Sequence, residues 1–322
     1  MRARDFGALL ALAALWGGAF LFIRVGARAI GPTTLAEARV VLAGAALLLY
    51  MAATRASLDL RGRWKRYLIM GVLQGAIPYT LISTAELHLT AGLAAILNAT
   101  TPLFGALVAA VWLRDRLTLK KGVGLVIGLA GVAVVTGWSA LPWSLTTALA
   151  VGASLAAAFS YGIAGNFAKR AFAGVPPLAS ATGQQLGAMV ALAPFALPIA
   201  ATSAPWTHVT LGVAWAVVAL ALGCTSVAFL IYFYLIKSIG PIPTLSVTFI
   251  TPIFGIIWSA IFLSEQITVG VVIGMAIIFV GVLLVMGVRL PGLARRADGA
   301  NGAVDDDETL RGERHAAAGS RR

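Results

Sequence analysis

Ten long apolar stretches alternate with short separators that carry Gly, Pro or charge along most of the chain. A helix needs about 20 predominantly apolar residues to cross a bilayer, and each stretch is close to this length. Helices satisfy their backbone hydrogen bonds internally, as lipid requires. The pattern therefore predicts an all-α integral membrane fold with ten transmembrane helices, at Phe6–Ile23, Thr33–Ala53, Tyr67–Thr84, Thr90–Leu113, Leu119–Gly137, Leu145–Phe167, Pro177–Ala200, Val209–Ile236, Ile242–Leu263 and Thr268–Val288.

The composition supports a membrane protein. Of the 322 residues, 60% are hydrophobic and only 11% are charged, whereas about a quarter of a typical soluble domain is charged. The mean hydropathy is +0.92. These values exclude a cytosolic enzyme, a secreted disulfide scaffold and a disordered chain. The one cysteine, Cys224, allows no intramolecular disulfide.

The net charge of +12 is distributed unevenly between the separators. With a cytoplasmic N-terminus, 21 of the 24 Lys and Arg residues fall on the cytoplasmic side. Because basic residues are retained in cytoplasmic loops, this asymmetry predicts that both termini are cytoplasmic. The charge excess then needs no nucleic-acid partner. Residues 289–322 contain few large apolar side chains and are predicted to form a disordered cytoplasmic tail.

The chain contains an internal repeat. A shift of 150 residues aligns Asn98–Gly137 with Thr248–Gly287 at 13 identities in 40 positions. A shift of 145 residues pairs Trp16 with Tyr161. Each repeat holds five predicted spans, and because five is odd, the second repeat would cross the membrane in the opposite sense. We therefore predict two inverted five-helix repeats, residues 1–140 and 141–288, around a central cavity, followed by the tail at 289–322. Inverted repeats recur in secondary transporters.

Several of these motifs carry a family resemblance. The Trp16-Gly17 pair, the two Thr-Pro motifs, and the LRDRLT and LSEQIT loops followed by glycine-rich helices resemble the drug/metabolite transporter (DMT) superfamily. More narrowly, residues 6–288 resemble the bacterial EamA type. The resemblance implies a ten-helix exporter in the bacterial inner (plasma) membrane, with a central cavity, and it is greatest to the aromatic or hydrophobic amino-acid exporters.

Polar and aromatic residues concentrate on eight of the predicted helices, while the fifth and tenth are rich in glycine. Arg39 carries a charge inside a span, where it binds a substrate carboxylate, forms a structural ion pair or extends its head outward. Glu37 is expected to pair with Arg24 or Arg28. The aromatic candidates line the pathway or simply pack. The predicted substrate-binding residues are Trp16, Arg39, Tyr79, Ser83, Asn98, Tyr161, Gln184 and Thr248.

Prolines and glycines supply the remaining candidates. Pro102 and Pro252 each free a backbone carbonyl in a span, so they are predicted gating positions, with helix packing as the alternative. Small residues let membrane helices approach closely. The predicted packing positions are Gly124, Gly128, Gly274 and Gly281.

The leading hypothesis is a secondary transporter that exports small metabolites, foremost hydrophobic or aromatic amino acids, by alternating access. Export of other metabolites or drugs, or an intramembrane enzyme, remain the alternatives. The sequence has no HExxH, GxSxG or P-loop motif, so we expect no enzyme activity, catalytic residue, cofactor or metal. The expected partners are a small-molecule substrate and the lipid bilayer, with no nucleic acid and no obligatory protein partner.

Overall fold

A computed structural model of the chain describes residues 2–115, 118–139, 142, 144–203 and 209–286. The predicted tail at 289–322 lies outside these residues. The described residues form ten long helical stretches, one additional helical turn and no β-strand, as expected for a helical membrane fold. Their bounds are α1 Ala3–Ile30, α2 Pro32–Ala53, α3 Leu60–Ala85, α4 Ala91–Trp112, α5 Leu119–Gly137, α6 Leu145–Ala171, α7 Pro177–Ser203, α8 Leu211–Ile239, α9 Val247–Leu263 and α10 Val269–Met286.

Nine of these described helices are long and apolar enough to span a bilayer, and the apolar α9 is shorter. Its predicted span began at Ile242, but a separate helical turn, Pro241–Thr244, precedes it. The hydroxyls of Ser246 and Thr248 donate to the carbonyls of Pro243 and Leu245 at this break. Such local side-chain bonds compete with a continuous helix.

Turn residues and polar caps set the other helix ends. Gly31 ends α1 with φ at 82°, and Gly240 ends α8 with φ at 85°. These positive angles favour glycine. A proline follows each glycine. Pro32 starts α2 and Pro241 starts the helical turn before α9, and at the first position of a helix the missing N–H of proline has no cost. Thr90 caps α4, because its hydroxyl accepts a hydrogen bond from the backbone N–H of Leu93.

Three of the helices are irregular near their middle. A π-helical segment occupies Val72–Ala76 in α3, and another occupies Ala219–Val227 in α8. Helix α4 is interrupted at residues 99–100, just before Pro102, whereas α9 continues through Pro252. Segments of π-helix occur frequently at functional sites. The irregular segments therefore mark the region of the bundle in which a site is to be sought.

Helices from the two sequence halves pack against each other: α1 on α9, α2 and α3 on α7, and α4 on α6. Glycines permit the closest approaches. A Cβ built on Gly71 of α3 would lie 2.2 Å from the backbone nitrogen of Ala188 in α7. On α5, a Cβ on Gly124 would lie 2.8 Å from the carbonyl oxygen of Gly281 in α10. These backbones pack at distances that only small residues allow.

Candidate functional site

A cavity of about 320 Å³ lies inside the bundle, lined by residues of α1–α4, α6, α8 and α9. Of the predicted substrate-binding residues, Ser83 and Gln184 are buried outside this lining. The others are brought together around the cavity, as are both predicted gating prolines. The sequence-predicted residues in the lining are Trp16, Arg39, Tyr79, Asn98, Pro102, Tyr161, Thr248 and Pro252.

Arg39 is the charged side chain among the described residues that line the cavity. Its residue is 8% exposed. The guanidinium carbon lies 3.8 Å from the centroid of the Tyr79 ring, in cation–π geometry. Its Nε donates to the Thr225 hydroxyl at 2.9 Å. Within the part of the chain that the structure describes, no carboxylate lies within 4.0 Å of Arg39. A buried charge without a counter-charge is costly, so this site favours an anionic ligand.

The π-helical segment of α8 holds the partner of Arg39. The Thr225 and Ser226 hydroxyls donate to the carbonyls of Leu220 and Ala221, each five residues earlier. The Ser226 hydroxyl also lies 3.3 Å from the Ala43 carbonyl of α2. These bonds fix the hydroxyl of Thr225, which in turn fixes the guanidinium plane over Tyr79.

Aromatic side chains supply the apolar part of the lining. Trp16 and Tyr232 lie with ring centroids 5.5 Å apart and ring planes inclined by 41°. Tyr161 packs in the same buried cluster as Tyr79. Such surfaces bury large apolar groups and retain a polar edge. The cavity therefore combines one positive charge with aromatic surface.

Polar groups near the α4 break complete the site. The Asn98 side-chain oxygen is buried and has no hydrogen-bond partner among the described residues. The backbone carbonyl of Asn98, which Pro102 leaves without its N–H donor, accepts a hydrogen bond from the Thr101 hydroxyl at 2.7 Å. The freed carbonyl is thus occupied within α4, while the side-chain oxygen of Asn98 is the unpaired acceptor.

Two glycine contacts frame the cavity in matching ways. A Cβ built on Gly17 of α1 would lie 2.7 Å from the Phe254 Cβ and 2.8 Å from the Gly255 nitrogen of α9. A Cβ on Gly162 of α6 would lie 2.8 Å from the Gly105 nitrogen of α4. Gly17 and Gly162 correspond in the internal repeat, as do Gly105 and Gly255. The contact of Gly17 with Gly255 brings the backbones of α1 and α9 together, and the contact of Gly162 with Gly105 does the same for α6 and α4.

The expected pairing of Glu37 with Arg24 or Arg28 is wrong. Glu37 forms no salt bridge with a described residue, and its Oε2 has no hydrogen-bond partner there. The Nε of Arg24 instead lies 3.9 Å from Oε1 of Glu265, in the connection between α9 and α10. The guanidinium of Arg24 also donates to the backbone carbonyls of Glu86 and Leu89, in the connection between α3 and α4.

Other lining residues were not predicted. Phe20, Phe229 and Thr251 line the cavity. Phe20 and Phe229 stand in uniformly apolar segments, so nothing in the hydrophobic pattern separates them from packing residues. Thr251 carried a usable signal, since it belongs to the repeated Thr-Pro motif.

The fold and the cavity define a multi-pass helical membrane protein with a polar site enclosed by helices of both sequence halves. The EamA-like transporter family model matches residues 5–137 and again residues 148–287. The chain therefore belongs to the EamA-like transporter family, and the DMT resemblance is confirmed.

Individual relatives agree with this assignment. The chain is 24% identical to the uncharacterized transporter YoaV of Bacillus subtilis, over 86% of this chain and 94% of YoaV. It is 26% identical to the uncharacterized inner membrane transporter YedA of Escherichia coli, over 78% of this chain and 80% of YedA. A probable terminal-alkyne amino-acid exporter of Streptantibioticus cattleyicolor is 33% identical, over 60% of this chain and 62% of the exporter.

A solved structure shows the same fold. This crystal structure matches 92% of the present chain and 99% of its own, with a TM-score of 0.62 and 21% sequence identity.

Proposed function

We propose that the protein exports small molecules with a carboxylate and an apolar body, foremost hydrophobic or aromatic amino acids, across the bacterial inner membrane. The observation that carries the proposal is Arg39, a buried cation without a carboxylate partner in the described part of the chain, facing an aromatic cavity. A substrate carboxylate supplies the missing counter-charge, and the aromatic walls bury its side chain.

The name of one relative supports this substrate class. One relative is named as a probable amino-acid exporter, and the other relatives described above are named as transporters. The proposed activity is transport without a catalytic step and without a cofactor. The ammonium group of an amino acid would find an acceptor in the unpaired side-chain oxygen of Asn98.

Alternating access between two inverted halves is part of the proposal. Its support is the paired geometry: Gly17 contacts α9 as Gly162 contacts α4, and α3 and α8 both contain a π-helical segment. The family model also matches the chain twice, once in each proposed half. Equivalent halves can exchange conformations and expose a shared site to each side in turn.

The contacts between α4 and α9 support an inward-facing arrangement. A Cβ on Gly255 would lie 2.6 Å from the Ala95 Cβ, and a Cβ on Gly92 would lie 2.9 Å from the Ser259 hydroxyl. The repeat-related Gly105 has no comparable contact with α9 among the described residues. With a cytoplasmic N-terminus, the close contacts lie toward the outer face. Pro102 and Pro252 remain the proposed gating positions, because the parts of α4 and α9 on the outer side of these prolines must separate for outward opening.

Counterflow in proteoliposomes tests the proposal. Vesicles that contain the purified protein and one unlabelled amino acid should accumulate the same labelled amino acid, with hydrophobic and aromatic members fastest. In Arg39→Gln the apparent affinity should fall roughly 10- to 100-fold, because a hydrogen bond to a charged group contributes about 1.5–3 kcal/mol. Arg28→Gln, at an exposed position, is the matched control. Full activity of Arg39→Gln at equal protein level would remove the substrate role of Arg39, and no counterflow of any amino acid would remove the substrate class.

A further inference from the structure

A charged cluster joins three segments at the end of the bundle where α4 begins. Arg24 of α1 donates through Nη1 to the backbone carbonyls of Glu86 and Leu89, which lie between α3 and α4. Its Nε lies 3.9 Å from Oε1 of Glu265, between α9 and α10. One guanidinium therefore connects segments of both sequence halves.

Glu265 binds the start of α4. Its carboxylate accepts hydrogen bonds from the backbone N–H groups of Ala91 at 3.1 Å and Gly92 at 3.3 Å. The first N–H groups of a helix have no partner within the helix, and the helix dipole favours a negative charge there. We call the contacts of Glu265 with Arg24, Ala91 and Gly92 the latch, because they hold the α9–α10 connection against α4.

Glu86 lies beside the latch but takes no part in it through its side chain. The residue is fully buried, and neither carboxyl oxygen has a hydrogen-bond partner among the described residues. Glu86 follows the last residue of α3, and burial raises the pKa of its carboxyl well above the usual range. The neighbouring charges are Arg24 and Arg39, which lower this pKa, and Glu265, which raises it. His88, in the same connection, is exposed.

We propose that Glu86 is a proton-binding site that controls the latch. Protonated Glu86 is neutral and leaves Arg24 to Glu265, so the latch stays closed. When the proton leaves, the Glu86 carboxylate competes with Glu265 for the Arg24 guanidinium, and Glu265 loses part of its hold on α4. Combined with the export function proposed above, on which this step rests, the site couples proton entry to substrate exit.

The cavity provides a route for the proton. Ile82 lines the cavity and lies one helical turn before Glu86, and Ile23 lines it beside Arg24. The proton released from the Glu86 carboxyl passes to water at this end of the cavity. Arg24 of the latch donates to the backbone carbonyl of Glu86, so latch opening would expose the same carboxyl to the other face of the membrane.

Pulsed electron–electron double resonance, which measures the distance between two spin labels, tests the latch directly and does not require transport. The single native cysteine is removed as Cys224→Ala, and labels are attached at His88→Cys and Gln266→Cys, which are exposed residues on the two sides of the latch. The His88 substitution also removes the imidazole from the connection that contains Glu86. In lipid nanodiscs, the distance should be short at mildly acidic pH and longer at mildly alkaline pH.

Three further variants assign the titration. Glu86→Gln imitates the protonated carboxyl, so its label distance should stay short at every pH. Glu265→Gln weakens the latch and should shift the distances toward the long population even at acidic pH. Glu37→Gln is the matched control, because it removes another buried carboxyl, in α2, that lies outside the latch; its pH response should equal that of the unmodified background.

Two results would overturn the proposal: distances that do not change with pH in the background protein, or a pH response in Glu86→Gln equal to that of the background. Transport separates this failure from failure of the export function. If Glu86 binds the coupling proton, Glu86→Gln keeps the latch closed and loses both counterflow and its stimulation by a pH gradient, whereas the unmodified protein retains both. A Glu86→Gln variant that retained counterflow and its stimulation by a pH gradient would exclude Glu86 as the proton site without affecting the proposal of amino-acid export.

Discussion

Replacing Gly17 or Gly162 by alanine should destabilise the fold by a similar amount at the two sites. On Gly162, the added Cβ would lie 2.8 Å from the Gly105 nitrogen, whereas ordinary contacts begin at 3.4 Å. The helices must therefore separate by about 0.6 Å, because a backbone atom cannot rotate away as a side chain can. On Gly17, the Cβ would meet the Phe254 Cβ at 2.7 Å and the Thr251 carbonyl oxygen at 2.8 Å.

The expected loss follows from two opposing effects. Overpacking of a close contact costs typically about 1–3 kcal/mol. Alanine in place of glycine stabilises a helix by roughly 0.5–1 kcal/mol, since less backbone entropy is lost. We expect a net loss of about 1–2 kcal/mol in the free energy of unfolding for each variant.

Thermal and denaturant unfolding of the purified protein in one detergent measures this loss. Gly152→Ala is the matched control, because it adds a methyl group to α6 at an exposed position where nothing lies within 4 Å. It should be as stable as the unmodified protein or slightly more stable. If Gly17→Ala and Gly162→Ala behaved like Gly152→Ala, the paired backbone contacts would not support the fold. A loss at only one site would refute their equivalence.

Two further predictions concern the surroundings of Arg39. Tyr79→Phe keeps the ring beneath the guanidinium and should leave the KM for transport nearly unchanged. Tyr79→Ala should raise the KM roughly 2- to 30-fold, because the cation–π contact contributes about 0.5–2 kcal/mol. Initial-rate kinetics measure both values, and an equal KM in the two variants would contradict the role of the ring. Thr225→Val removes the hydroxyl that accepts from Nε and should raise the KM about 10-fold or more with kcat largely retained; a fall in kcat alone would show that Thr225 does not position Arg39.

The sequence predicted the helical membrane fold because each span has its own hydrophobic signal. The interruption of α4 agrees with the backbone donor that Pro102 removes, but the same reasoning fails at Pro252, through which α9 continues. The π-helical segments were not foreseeable, because Val72–Ala76 and Ala219–Val227 carry no pattern distinct from the helices around them. Their effect is local, because they change which residues of a helix face inward. Thr225 lies in the π-helical segment of α8, so its contact with Arg39 could not be predicted from regular helical spacing.

The sequence predicted the chemical character of the candidate site better than it predicted which residues line the cavity. Arg39 stood out because a charge within a span needs a partner. Ser83 was chosen on helical spacing, and Gln184 as an uncharged polar residue that corresponds to Arg39 in the internal repeat. Both are buried outside the cavity lining, because neither spacing nor polarity identifies the side of a helix that faces the cavity. The role of Glu265 was equally hidden, because its contact with the start of α4 joins residues 174 positions apart.

Counterflow competition with analogues of one substrate tests the central claim, that Arg39 binds a carboxylate inside the aromatic cavity, most directly. Labelled phenylalanine is taken up by proteoliposomes in the presence of one unlabelled competitor. The competitors are phenylalanine, which has both an amine and a carboxylate, phenylpropionate, which lacks the amine, and phenylethylamine, which lacks the carboxylate. We expect phenylalanine and phenylpropionate to compete and phenylethylamine to fail, and Arg39→Gln to lose this discrimination. Equal competition by phenylethylamine in the unmodified protein would contradict the account.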